Sequence, residues 1–172
     1  GDEQLMQRAK EIKNYLISTS WDQEFGGWYD MISRGGQPTV DTKTTFGQVY
    51  IITGLTLYYF ATQDPEVLRY IIESNKLLEE KVWDPVSGGY FDSMNRDWSV
   101  RLDTKSFSSE ITPVSGYLYY LYLATRDEQY LKQTEKILDI VLMKMSDPKS
   151  GWILENFDRN WNYTVKDRTV NE

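Results

Sequence analysis

Two kinds of apolar segment alternate along this chain. The first is one-sided. In EQLMQRAKEIKNYLIS, Leu5, Ala9, Ile12, Leu16 and Ile17 recur at steps of mostly three and four, which predicts a helix with one apolar stripe. DPEVLRYIIESNKLLEEKVW carries the same stripe in Leu68, Ile71, Ile72 and Leu78. Its start is marked by Asp64 as cap, Pro65 in the first turn and Glu66 against the positive end of the helix dipole. DEQYLKQTEKILDIVLMKM, opened by Asp127, repeats the arrangement. The second kind is apolar nearly all round: Phe46 to Gln63, and TPVSGYLYYLYLATR with Thr112 as cap and Pro113 just inside. Such segments are expected to be helices enclosed by other helices.

Between the helices lie three related stretches: WDQEFGGWYDMISRGG, WDPVSGGYFDSMNRDW and SDPKSGWILENFDRNW. Trp21 to Trp83, Gly26 to Gly88 and Arg34 to Arg96 are each 62 residues; Asp84 to Asp147, Arg96 to Arg159 and Trp98 to Trp161 are each 63. A fixed period of this length signals a structural repeat. The unit reads as enclosed helix, Asp-capped turn, amphipathic helix and Gly-rich extended stretch, with Tyr90-Phe91 as a short strand. Stacked units place one helix on an inner ring and one on an outer ring. The fold class is mostly α, a partial α/α toroid with small Gly-Gly hairpins on one face.

The 172 residues hold about 2.8 units, read as one incomplete domain with units at roughly 1–40, 41–102 and 103–172. Repeat arrays bury their cores between neighbours, so an open array exposes apolar faces. The expectation is a piece of a longer protein; a half that self-associates and a short open array are the alternatives.

Composition narrows the chemistry. Net charge is −7 with no block of Lys or Arg, which argues against nucleic acid and against an anionic membrane surface. No apolar run approaches the roughly 20 residues a spanning helix needs, and no signal-peptide pattern opens the sequence. Aromatics make up 15%, and Tyr and Trp suit both core packing and stacking on sugars. Cys and His are both absent, which removes thiolate chemistry and the usual general base. Only carboxylates and carbonyls remain for a metal, and neither a metal site nor a cofactor is expected.

FGQVYIITGLTLYYFATQDPEVL, DPVSGGYFDSMNRDWS, LYLATRDEQYL and ENFDRNWN, in that order, resemble segments of the N-acylglucosamine 2-epimerase and cellobiose 2-epimerase family. The Gly-Gly-Tyr-Phe to Arg-Asp-Trp element carries most of the specificity. The resemblance covers nearly the whole chain and implies the first half or so of an (α/α)6 barrel. It further implies a small-molecule sugar or glycan as partner, isomerase or epimerase chemistry at the carbon beside a carbonyl, and a cytoplasmic location. In that family His residues move the proton; here Ile111 and Pro113 stand where two of them are expected, and an inner-ring Arg finds no match near Gln48. The resemblance therefore implies a chain that does not carry out His-based epimerisation by itself.

Two repeat-equivalent segments, DTKTTFGQ and DTKSFSSE, are expected at the mouth of the ring. One reading makes Lys43, Gln48, Lys105 and Glu110 a polar sugar-binding rim. The other makes Asp41 and Asp103 helix caps and leaves the lysines solvated. Glu110 breaks the symmetry against Gln48 and is the candidate general acid or base, with Asp103 or Asp92 as its partner in a carboxylate pair of the inverting-glycosidase kind. That pair would suit a hydrolase or lyase on a similar toroid, while a module that binds sugar without turnover is a further alternative. Trp28, Tyr90 and Trp152 are taken as one column of stacking residues, and Trp98 and Trp161 as a column sealing hairpins onto helix ends, with Arg96 and Arg159 pairing to neighbouring Asp.

Overall fold

The computed structural model describes residues 2–164, so the last residues of the third unit, 165–172, lie outside the described residues. In chain order the elements are helix α1 (Glu3–Tyr15), strand β1 (Thr42–Thr44), α2 (Thr45–Thr62), α3 (Pro65–Leu77), β2 (Ser93–Asn95), β3 (Val100–Leu102), β4 (Lys105–Ser106), α4 (Phe107–Pro113), α5 (Tyr119–Thr125), α6 (Gln129–Lys144) and β5 (Asn156–Phe157). Single π-helical turns follow α1 and α3 at Leu16–Ser20 and Leu78–Val82, 62 residues apart. A third, Val114–Leu118, joins α4 to α5 into one continuous helix.

Helix α2 packs against α1, α3 and the α4–α5 helix, and α6 packs against α4–α5. Thus α2 and α4–α5 form an inner layer, with α1, α3 and α6 outside it. The layers meet over a buried core that includes Val49, Ile52, Val67, Ile71, Leu78, Leu118, Leu121 and Ile137. Each such side chain contributes about 1.5–3 kcal/mol through removal from water. The hairpins gather at one edge: β1-β2-β3 form an antiparallel sheet with Thr42 opposite Asn95, and β4 pairs with β5 with Lys105 opposite Phe157.

Several expectations are corrected here. The second inner helix starts at Phe107, not after Thr112; Ser106 caps it by accepting from the Ser109 N–H. Thr112 lies in its interior, its hydroxyl donating to the Ser108 carbonyl at 2.6 Å. Pro113 therefore sits well inside a helix, where it lacks an N–H to donate, and the π-helical turn begins at the next residue. Thr44 and Ser106, rather than Asp41 and Asp103, are the caps of the inner helices. The Tyr90 backbone makes a single bridge to Trp83, and the strand proper comes three residues later, at Ser93–Asn95. Only the end of the first stripe reaches the core: Ile17 packs against it, whereas Leu5 is 67% and Ile12 60% exposed. The one buried residue of α1 is Lys13, whose ammonium reaches Asp64 at 3.4 Å and Glu66 at 3.3 Å. Asp64 itself caps α3 as expected, accepting from the Glu66 N–H. No helix among the described residues is long and apolar enough to cross a membrane.

Candidate functional site

The residues expected to form a polar rim instead form the joints between successive repeats. In the first joint Lys43, at the centre of β1, is wholly buried. Its ammonium donates to Asp22 Oδ2 at 3.0 Å and to the carbonyls of Gly26 and Arg96, each at 2.7 Å, and the Trp98 ring lies 4.7 Å from it. Arg96 closes the joint from the next hairpin, its guanidinium donating to both oxygens of Asp22 at 2.9 and 3.0 Å. Burial alone would push the Asp22 acid up. The hydrogen bonds from Arg96, Lys43 and the N–H groups of Glu24 and Phe25 outweigh it and hold the carboxyl well below the usual range. Burial also lowers the Lys43 ammonium, more than Asp22 raises it.

The second joint reproduces the first. Lys105 is buried and donates to Asp84 at 3.0 Å and to the Arg159 carbonyl at 3.1 Å; Trp161 lies 4.7 Å away, and Arg159 reaches both Asp84 oxygens at 3.1 Å. The expected pairing of Arg96 and Arg159 with Asp is thus present, across repeats. Arg34, 62 residues before Arg96, is exposed. In both joints a backbone glycine fits beneath the tryptophan: Gly27 has φ +76° with no room for a Cβ against Trp98, and at Gly89, φ +82°, a Cβ would lie 2.6 Å from Trp161.

Gln48 and Glu110 sit behind these glycines, at matching places in the first turns of α2 and α4. Gln48 makes a two-way pair with one residue: its Oε1 accepts from the Trp28 N–H at 2.8 Å and its Nε2 donates to the Trp28 carbonyl at 2.6 Å. Glu110 is wholly buried; Oε1 accepts from the Tyr90 N–H at 2.6 Å and Oε2 has no partner. The expected carboxylate pair does not face a common cleft. Asp103 is exposed, while the half-buried Asp92 is occupied by the hydroxyls of Ser106 at 2.6 Å, Ser109 at 2.7 Å and Thr104 at 2.8 Å.

Trp28 and Tyr90 are also wholly buried and offer no face to a ligand. Trp28 Nε1–H donates to Ser74 at 2.9 Å, and the Tyr90 hydroxyl donates to Glu79 and accepts from Gln133, so each ties its hairpin to the outer helices. The third member of that column is Ile153, which bridges Ser146 as Tyr90 bridges Trp83. Trp152 takes the place of the second glycine and is 75% exposed. Of the positions where the family resemblance places His, Ile111 is half-buried and Pro113 buried.

The open surface lies elsewhere, on the inner layer. Phe46 and Tyr50 of α2 are 44% and 61% exposed, their ring centroids 4.3 Å apart and their planes tilted by 43°. Beside them, Val49, Tyr50 and Thr53 of α2 face Thr112, Ser115 and Gly116 across a cleft of about 230 Å³. The helices meet closely there because Gly116 has no side chain: a Cβ would run into the Thr53 hydroxyl. Aromatic faces next to hydroxyls are the groups a pyranose ring and its hydroxyls match. Sequence reasoning missed this face because α2 reads as apolar all round. No residue-type signal marks it: the exposed positions 46, 50, 54 and 57 share one side of the helix opposite the buried 45, 48, 49, 52, 55, 56 and 59, yet the buried set includes the polar Thr45, Gln48 and Thr56.

The comparisons agree with this architecture. The family model of N-acylglucosamine 2-epimerase (GlcNAc 2-epimerase) matches residues 1–171. A cellobiose 2-epimerase of Bacteroides fragilis is 27% identical over 171 residues, covering 94% of this chain and 43% of the relative. That of Dictyoglomus turgidum is 26% identical over 170 residues, with 93% and 43% covered. The solved cellobiose 2-epimerase of Bacillus thermoamylovorans superposes with a TM-score of 0.89 at 24% identity, over 95% of this chain and 45% of that one. The chain spans less than half the length of these relatives. A partial α/α toroid, joined by the repeated Asp–Lys–Arg–Trp contacts and matched by the family model from end to end, belongs to the N-acylglucosamine 2-epimerase family.

Proposed function

We propose that this chain forms the first part of the barrel of a sugar 2-epimerase or aldose–ketose isomerase and supplies one wall of its substrate cavity. The carrying observation is the family match over residues 1–171 together with an inner face that presents Phe46, Tyr50, Thr53, Thr112 and Ser115 rather than carboxylates or amines. The relatives named for cellobiose suggest a reducing disaccharide or its monosaccharides as ligand. In this reading the Phe46–Tyr50 pair stacks on a sugar ring and the threonine and serine hydroxyls orient it. Inverting the carbon beside a carbonyl takes one group to remove its proton and another to return a proton on the opposite face. The described joints lend neither group, since Lys43, Lys105 and Glu110 are all wholly buried. Proton transfer is assigned to residues other than those of this wall.

The test is proton NMR in D2O with cellobiose, N-acetylglucosamine, mannose and glucose. Saturation transfer from the protein without loss of the C2 proton signal is expected, and Tyr50→Ala should weaken that transfer several-fold. Exchange of the C2 proton by this chain alone would overturn the assignment of proton transfer elsewhere. Absence of saturation transfer with every sugar would remove the substrate-wall reading and leave the fold.

A further inference from the structure

One of the buried positions that differ between the two joints assigns a proton. At the first, Gln48 uses an acceptor and a donor on the same residue, Trp28. At the second, Glu110 uses one acceptor on Tyr90, and its other oxygen, Oε2, is buried with no partner. An ionised carboxylate has only acceptors, so it cannot copy the second half of the Gln48 arrangement. A protonated one can, because its O–H replaces the amide N–H. Among the described residues no backbone N–H donates to the Tyr90 carbonyl, the group that corresponds to the one Gln48 serves. We propose that Glu110 is held as a neutral carboxylic acid whose Oε2–H donates to the Tyr90 carbonyl, making the second joint a proton-dependent lock where the first is permanent.

The surroundings fit. Burial is the dominant influence on Glu110 and pushes its acid up to about 8, with the nearby Asp92 adding to it. The Tyr90 N–H, Lys105 and Lys136 oppose the rise. Neither cation is free to neutralise an ionised Glu110: Lys105 is already committed to Asp84, and Lys136 of α6 pairs with Glu79 at 2.9 Å while lying over the Trp83 ring. The carboxyl sits this close to the hairpin only because Gly89 has no side chain, since a Cβ there would approach Oε1 to 2.6 Å. Loss of the proton sets two acceptors, Oε2 and the Tyr90 carbonyl, against each other at the point where the hairpin meets α4. The hairpin is then held less firmly, and with it Lys105 and Trp161.

The sign follows from linkage. A carboxyl whose folded acid lies above its unfolded one gives stability that is complete below the unfolded value and is lost as pH rises through the folded value. The window runs from the ordinary carboxylate range to about 8.

The experiment compares the full chain with E110Q and Q48E by urea unfolding at closely spaced pH values from 5 to 9. Between pH 6 and 8 the unfolding constant of the parent chain is expected to rise relative to that of E110Q on the order of 10- to 100-fold. Q48E should acquire a second loss of the same sign. Infrared difference spectra between the parent chain and E110Q at pH 6 supply an independent readout, in which a protonated-carboxyl C=O stretch should be present and disappear above pH 9. Parallel pH profiles for the parent chain and E110Q, or a carboxylate band at pH 6, would overturn the proposal. If Q48E does not fold, E110Q and the infrared band still decide it.

Discussion

The joint around Lys43 and the joint around Lys105 are built from different residues over much of their surroundings, yet their central geometry is the same. In each, a buried lysine meets an aspartate at 3.0 Å, an arginine from the following hairpin grips that aspartate, and a tryptophan lies 4.7 Å from the ammonium. Among what differs are Gln48 against Glu110, Trp28 against Tyr90, and Glu24, which Arg96 also reaches at 2.9 Å, against Val86. The shared groups satisfy backbone carbonyls and a buried charge, demands imposed by the repeat itself. The differing groups satisfy a single local partner, and there the two joints are free to diverge. A buried charge without its counter-ion is costly, whereas an exchange between amide and acid costs only a proton.

The largest effect expected is from removing the aspartates. Asp22→Ala and Asp84→Ala each leave a buried lysine unpaired and should cost about 3–5 kcal/mol in urea unfolding. Both carboxyls are held below the ordinary range, so their stabilisation is present above pH 4 and falls away as pH drops further. Asp22→Asn and Asp84→Asn should flatten the acid limb of the stability profile. A large cost at one joint and none at the other would break the equivalence.

Next come the glycines beneath the tryptophans. Gly27→Ala and Gly89→Ala each combine a positive φ with a side chain driven into an indole ring. A loss of about 2–3 kcal/mol is expected for each by thermal unfolding, without change in helix content by circular dichroism. Loss below 0.5 kcal/mol at either would show that the tryptophan can move aside. The smallest effect belongs to the third repeat, where Trp152 occupies the glycine place. Trp152→Ala should change stability by no more than about 0.5 kcal/mol, since the ring is 75% exposed. A larger loss would sharpen the comparison by showing that Trp152 has a partner of its own.

Much of this architecture was legible in the residues. The helices themselves, the 62- to 63-residue period and the cap at Asp64 each follow from local rules, and each is found in the fold, although the α1 stripe and one side of α2 are open. The resemblance carried by the Gly-Gly-Tyr-Phe to Arg-Asp-Trp element also gave the family. The site was much less legible. Lys43 and Lys105 read as rim or solvent residues because lysine is seldom wholly buried, and only the Asp and Arg brought from the two neighbouring hairpins make that burial tolerable. Phe46 and Tyr50 read as core because their helix is apolar on every side.

The sequence by itself determined the helices, the repeat and the columns of Asp, Gly, Arg and Trp, because these depend on periodicity and on residues close along the chain. Tertiary structure alone decided which face of α2 is open, which lysine meets which aspartate, and that Glu110 is enclosed with one oxygen unpartnered. Those outcomes depend on groups brought together from 20 to 75 residues apart. They also depend on how far water is excluded where the groups meet, and no local pattern of apolar and polar positions records that.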